Sequence, residues 1–111
     1  MNSKPGCVFC QIVARDSQAN IRYEDSALIV IDNILDWAPI MLLVIPKAHF
    51  TQEEMWGNEV ITNVGKAAVD WGNKLCPDGF RILSNVRRDA MQSQEHGHVH
   101  VVGGRFLGRY V

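Results

Sequence analysis

His96-Gly97-His98-Val99-His100-Val101-Val102 is the stretch on which the reading of this chain turns. On an extended strand, side chains two residues apart share a face. Three imidazoles therefore line one side, and Gly97, Val99 and Val101 line the other. Small and β-branched residues suit packing on a core. The pattern predicts a strand over 97–102 with one buried face and one chemical face.

Working outward, residues 85–94 are polar and read as a loop, and 80–84 alternate as a strand would. Before them, Val60, Val64, Ala67, Ala68, Trp71 and Leu75 recur at the helical period, which predicts the main helix over about 59–75. Thr51-Gln52-Glu53-Glu54 has capping-box spacing and predicts a short helix. Residues 40–45 are apolar on both faces and end at Pro46, which reads as a central strand. Residues 21–24 and 27–32 predict two further strands, and 7–15 a short N-terminal helix. Hairpin-connected strands with one main helix make the class α+β, with about five antiparallel strands. The 111 residues fit one domain spanning 1–111.

Histidine titrates near neutrality, so one imidazole can be a neutral nucleophile while a neighbour donates a hydrogen bond. Phosphoryl chemistry needs such donors around the non-bridging oxygens. Histidine is equally a common metal ligand. On spacing alone, catalysis and metal binding stand level. Cys7-Val8-Phe9-Cys10 offers half of a zinc site, or simply two buried thiols on a helix. Cys76 has no partner in the sequence and is expected to be a small buried or half-buried residue.

Bulk composition narrows the partners. The formal net charge is −1, which argues against a nucleic acid polymer but permits a small anion in a local positive pocket. The longest apolar run stops at Pro46, far short of the roughly 20 residues of a membrane span. The start lacks the apolar core of a signal peptide, and three cysteines are a poor basis for a disulfide framework. No membrane partner and a reducing cytoplasm are expected.

The stripe resembles the mark of the histidine-triad (HIT) superfamily, His-φ-His-φ-His-φ-φ with φ apolar. The likeness extends to Gln92-Ser93 upstream and Gly103-Gly104 downstream, to Val44-Ile45-Pro46-Lys47-Ala48-His49, to Ile31-Asp32 followed by Ala38-Pro39, and to Cys7-Val8-Phe9-Cys10. The short tail after His100 looks like the Hint-like branch of small nucleoside phosphoramidases. The Fhit-like dinucleoside polyphosphate hydrolases are the neighbouring branch.

The resemblance implies an enzyme that cleaves purine nucleoside phosphoramidates or related adenylates at the alpha-phosphate. His98 would attack phosphorus and His100 would donate to a phosphate oxygen. The His96 carbonyl would fix the His98 tautomer, and Ser93 and Gln92 would bind phosphate or leaving group. Asn85 would lie beside the phosphate, Asp32 would hold the ribose, and the purine would rest on Ile31 and Ile45. No cofactor is required for this chemistry. A structural zinc on Cys7, Cys10, His49 and His96 is compatible with it, as is a homodimer built through the main helix and the sheet edge. Two departures stand out: Gly97 replaces an apolar side chain, loosening the nucleophile's support, and Gln94-Glu95 replaces a more apolar dipeptide. A non-catalytic, zinc-stabilised nucleotide-binding module is the rival from another class.

Overall fold

Alternation along the strands builds a sheet with two different faces. The computed structural model describes residues 3–109. Its strands are β1 (Ile21–Glu24), β2 (Leu28–Asp32), β3 (Ile40–Pro46), β4 (Phe80–Leu83) and β5 (Val99–Gly103). They form one antiparallel sheet in the order β1-β2-β3-β5-β4, so the doubly apolar β3 is central, as expected. The helices are α1 (Val8–Val13), α2 (Gln52–Trp56) and α3 (Val60–Leu75), with a 3-10 turn at Arg88–Ala90.

One face carries Leu28, Val30, Leu42, Val44, Val99 and Val101, which close a core with Met55 of α2 and Val64 and Ala68 of α3. The other carries Ile29, Ile31, Leu43 and Ile45, which pack under Phe9 and Ile12 of α1. At six residues α1 is about 9 Å long. It covers only part of its face, and the rest is left for a site.

Local chemistry sets the boundaries. Asp25 Oδ1 accepts the amides of Ala27 (2.7 Å) and Leu28 (3.0 Å), so β2 begins at Leu28, one residue later than its pattern suggests. The capping box forms: the Thr51 hydroxyl takes the Glu54 amide, and Glu54 takes the Thr51 amide. Cys76 is buried against Gly103, where an added Cβ would lie 2.6 Å from its sulfur, and burial pushes its thiol up.

The final strand differs from expectation. It runs Val99–Gly103, not 97–102. The Gly97 amide donates to the Phe50 carbonyl (2.6 Å), and the His98 amide donates to the Gln52 side chain (2.9 Å). Both donors are taken before the ladder with β3 starts. The expectation that Gly97 weakens its surroundings is also corrected. A Cβ there would sit 2.9 Å from Met55 Cβ and 3.2 Å from the Thr51 carbonyl oxygen. The glycine lets α2 close against the histidine segment.

Candidate active site and metal cluster

Leu43 and Leu83 flank His100 in the ladder, so β3 and β4 hold its backbone from both sides. His98 precedes the strand and is held by side chains. Its amide donates to Gln52 Oε1, its carbonyl accepts the Ser84 hydroxyl at 3.1 Å, and its ring Nδ1 lies 2.8 Å from the His96 carbonyl oxygen. A carbonyl can only accept, so Nδ1 carries the proton and Nε2 of the neutral ring keeps its lone pair. Behind these contacts, Gln52 Nε2 donates to the Asn85 carbonyl (3.1 Å) and Trp56 Nε1 to Ser84 Oγ (3.2 Å).

Burial keeps the stripe neutral. It lowers the pKa of His98, against the opposing bond to the His96 carbonyl. It pulls His100 down to about 4, with the His98 ring adding to the effect. His96 is likewise depressed to about 4 by burial, against its bond to the Pro46 carbonyl. A neutral imidazole still donates one N–H, so His100 can serve an anionic oxygen uncharged.

The uncovered part of the α1 face is a cavity of about 690 Å³. His98, His100, Ser93, Ile31 and Asp32 all line it. A single cavity thus gathers the nucleophile candidate, a second imidazole, a hydroxyl, a carboxylate and apolar wall, within the size range of small-ligand sites. Asp32 is no bare turn residue: Arg22 Nε pairs with it at 2.9 Å, and Asn20 Nδ2 donates to its other oxygen.

Other expected contacts fall elsewhere. Gln92 accepts the Arg87 amide (2.7 Å) and donates to the Gln94 carbonyl (2.9 Å), so its amide group braces the loop. Asn85 reaches the site through its carbonyl, by way of Gln52, and does not line the cavity. Ile45 is wholly buried in the core beneath α1, so it offers no surface to a base. The apolar wall comes instead from Ile31 with Ile34 and Leu35, the last two largely exposed. Sequence reading missed Gln52, Ser84, Ile34 and Leu35. Nothing local to them signals that they meet the histidines.

His96 turns its ring away from the cavity. Its Nδ1 lies 3.4 Å from Cys7 Sγ and 3.4 Å from Cys10 Sγ, and His49 Nδ1 is 3.4 Å from Cys10 Sγ. The four ligand atoms lie within 4.8 Å of one another. Tetrahedral zinc with bonds of about 2.3 Å to sulfur and 2.0 Å to nitrogen would separate S and N by roughly 3.5 Å. The observed spacing fits. Two sulfurs and two imidazoles, with Cys10, His49 and His96 each less than a tenth exposed, are the donor set of a closed zinc site.

Residues 14–107 match the HIT domain family model. The purine nucleoside phosphoramidase of Escherichia coli (strain K12) is 30% identical over 108 residues, which cover 91% of this chain and 89% of that protein. A HIT family hydrolase from Clostridium thermocellum superposes with a TM-score of 0.89 at 32% identity, covering 98% of this chain and 99% of that one. A zinc-bound histidine triad family protein from Mycobacterium smegmatis gives 0.73 at 32% identity, covering 90% of this chain and 76% of that one. The chain belongs to the HIT family.

Proposed function

We propose that this protein hydrolyses purine nucleoside phosphoramidates or related adenylates at the alpha-phosphate. One observation carries the reading. His98 is neutral, has Nδ1–H tied to the His96 carbonyl, and lines a cavity with His100, Ser93 and Asp32. Its free lone pair is therefore on Nε2, the atom a covalent mechanism uses.

In the proposed reaction, Nε2 of His98 attacks phosphorus and a P–N(His) bond forms. The bond from phosphorus to the leaving amine breaks, and the amine departs as it takes up a proton. Water then attacks phosphorus and the P–N(His) bond breaks; the proton that water gives up balances the one the amine took, the nucleoside monophosphate leaves, and His98 is restored. His100 and Ser93 donate to phosphate oxygens, Asp32 accepts the ribose hydroxyls, and Ile31, Ile34 and Leu35 take the purine. The phosphoramidase name of the Escherichia coli relative supports this substrate class. No cofactor takes part in the chemistry. Cys7, Cys10, His49 and His96 would hold a structural zinc, since four protein ligands leave no open position.

We further propose a homodimer through α3 and the open edge of β4, where Val69, Ile82 and Leu83 are each about two-fifths exposed. Among the described residues, no helix is long and apolar enough to cross a membrane. The reducing cytoplasm is the proposed compartment.

The test is turnover of an adenosine 5′-phosphoramidate bearing a fluorogenic amine, beside a dinucleoside tetraphosphate. Wild type should favour the phosphoramidate. His98→Ala should lose at least about a thousandfold in turnover. Retained turnover in that variant sinks the nucleophile assignment. Nucleotide binding without cleavage by wild type would put the binding-module reading ahead.

A further inference from the structure

Metal ligands are aimed by an outer layer of hydrogen bonds. Here three of the four take that layer from backbone. Cys7 Sγ accepts the Cys10 amide and Cys10 Sγ accepts the Lys4 amide, both at 3.4 Å. His96 Nε2 donates to the Pro46 carbonyl at 2.7 Å. His49 differs: its Nε2 lies 3.0 Å from Oε1 of Glu95. A carboxylate accepts, so His49 carries its proton on Nε2 and presents Nδ1 to the sulfurs. Lys4 Nζ holds the same carboxylate oxygen at 3.0 Å.

We propose that Glu95 is a positioning residue of the metal cluster, whose carboxylate fixes the His49 tautomer and strengthens the ligand's hold on zinc. This rests on reading Cys7, Cys10, His49 and His96 as a zinc centre. A backbone acceptor orients an imidazole, whereas a carboxylate orients it and also makes its other nitrogen more basic. Two thiolates and a divalent ion sum to zero charge. Glu95 and Lys4 add a further neutral pair, so the carboxylate adds no net charge to the centre. The polar Gln94-Glu95 dipeptide, a departure from the family pattern, thereby acquires a role. Lys4 joins the start of the chain to the loop that leads into β5.

The experiment is zinc affinity of the full chain by competition with a chromophoric chelator, for wild type, Glu95→Gln and Glu95→Ala, together with the melting temperature of each metal-free protein. Wild type should bind one zinc. Glu95→Ala should bind it about 10- to 100-fold more weakly. Glu95→Gln should fall between, because its amide oxygen still accepts but carries no charge. The metal-free melting temperatures should differ little, since the Lys4–Glu95 pair is exposed and the Glu95 carboxylate stays half exposed beside the buried His49. Equal zinc affinity in wild type and Glu95→Ala overturns the role of Glu95 while leaving the centre in place. A metal-free melting temperature that drops in step with affinity also overturns it, making the residue merely structural. A wild type that binds no zinc overturns the metal reading itself, and the role of Glu95 with it.

Discussion

His96 and His98 stand two residues apart, touch the same Phe9 ring, and belong to different sites. The His96 ring faces two thiols and another imidazole, with its Nε2 bound to a carbonyl, so both nitrogens are occupied. Among the described residues, the hydrogen bond of the His98 ring is the one from Nδ1 to the His96 carbonyl. Spacing gives both residues the same face. The neighbours set the two candidate roles, metal ligand and nucleophile, apart: α1 and His49 enclose one end of the stripe, and the cavity opens at the other. His96 joins the two, since its side chain serves the cluster and its carbonyl serves His98.

That division can be broken most sharply by comparing two alanine variants. His98→Ala should abolish turnover yet leave zinc content unchanged. His96→Ala should lose zinc and also reduce turnover, because removing a fully buried side chain disturbs the segment that holds His98. Metal analysis and kinetics on the same preparations decide it. If His98→Ala releases zinc, or His96→Ala leaves turnover at wild-type level, the two ends are not separated as described.

Protonation sharpens the contrast at the open end. His100 has a folded value of about 4 against an ordinary 6.5, so the folded protein prefers it neutral. Its contribution to stability is therefore complete above pH 6.5. It is lost as pH falls from 6.5 towards 4, reaching about 3 kcal/mol at the acid end. His100→Asn should remove this share of the acid limb. Denaturant unfolding of both proteins from pH 8 to pH 4 should show the variant gaining on wild type as pH falls. A constant difference would mean that His100 titrates normally.

Gly97 lies between the two histidines and faces the other way. Gly97→Ala should destabilise by about 1–3 kcal/mol, because the new methyl group meets Met55 and the Thr51 carbonyl. Thermal unfolding measures it. An unchanged or raised melting temperature would return Gly97 to the role its sequence suggests, a weak point in a strand.

Legibility followed sequence distance. The bounds of β1, the central place of β3, the α3 stripe and the α2 capping box rest on patterns within a few residues, and each is present in the structure. The Cys-x-x-Cys pair and the triad were visible for the same reason, and family likeness supplied His49 to complete the cluster. What stayed hidden depends on contacts between distant segments. Periodicity cannot show that Phe50 and Gln52 take the Gly97 and His98 amides, so β5 starts two residues later than the alternation predicts. The burial of Ile45 escaped for a related reason: a strand with two apolar faces does not say which parts of them a short helix will cover.

Gln52 is where that hidden layer can be tested with the smallest change. Its side chain is fully buried and joins the His98 amide to the Asn85 carbonyl, across 46 and 33 residues of sequence. Gln52→Ala leaves a buried amide and a part-buried carbonyl without this partner, which should cost about 1–3 kcal/mol of stability. The Nδ1 bond of His98 remains, so the ring keeps its tautomer and loses only an anchor. Turnover should fall by about tenfold or less, far short of the His98→Ala loss. Ionised at a pH above its burial-raised pKa, Gln52→Glu retains an acceptor for the His98 amide but lacks the donor for Asn85, and so separates the two bonds under those conditions. If Gln52→Glu turns over like wild type while Gln52→Ala does not, the bond to His98 is the one that matters for chemistry. If the two variants are equally slow, the bond to Asn85 matters, and the loop carrying Ser93 is what Gln52 holds in place.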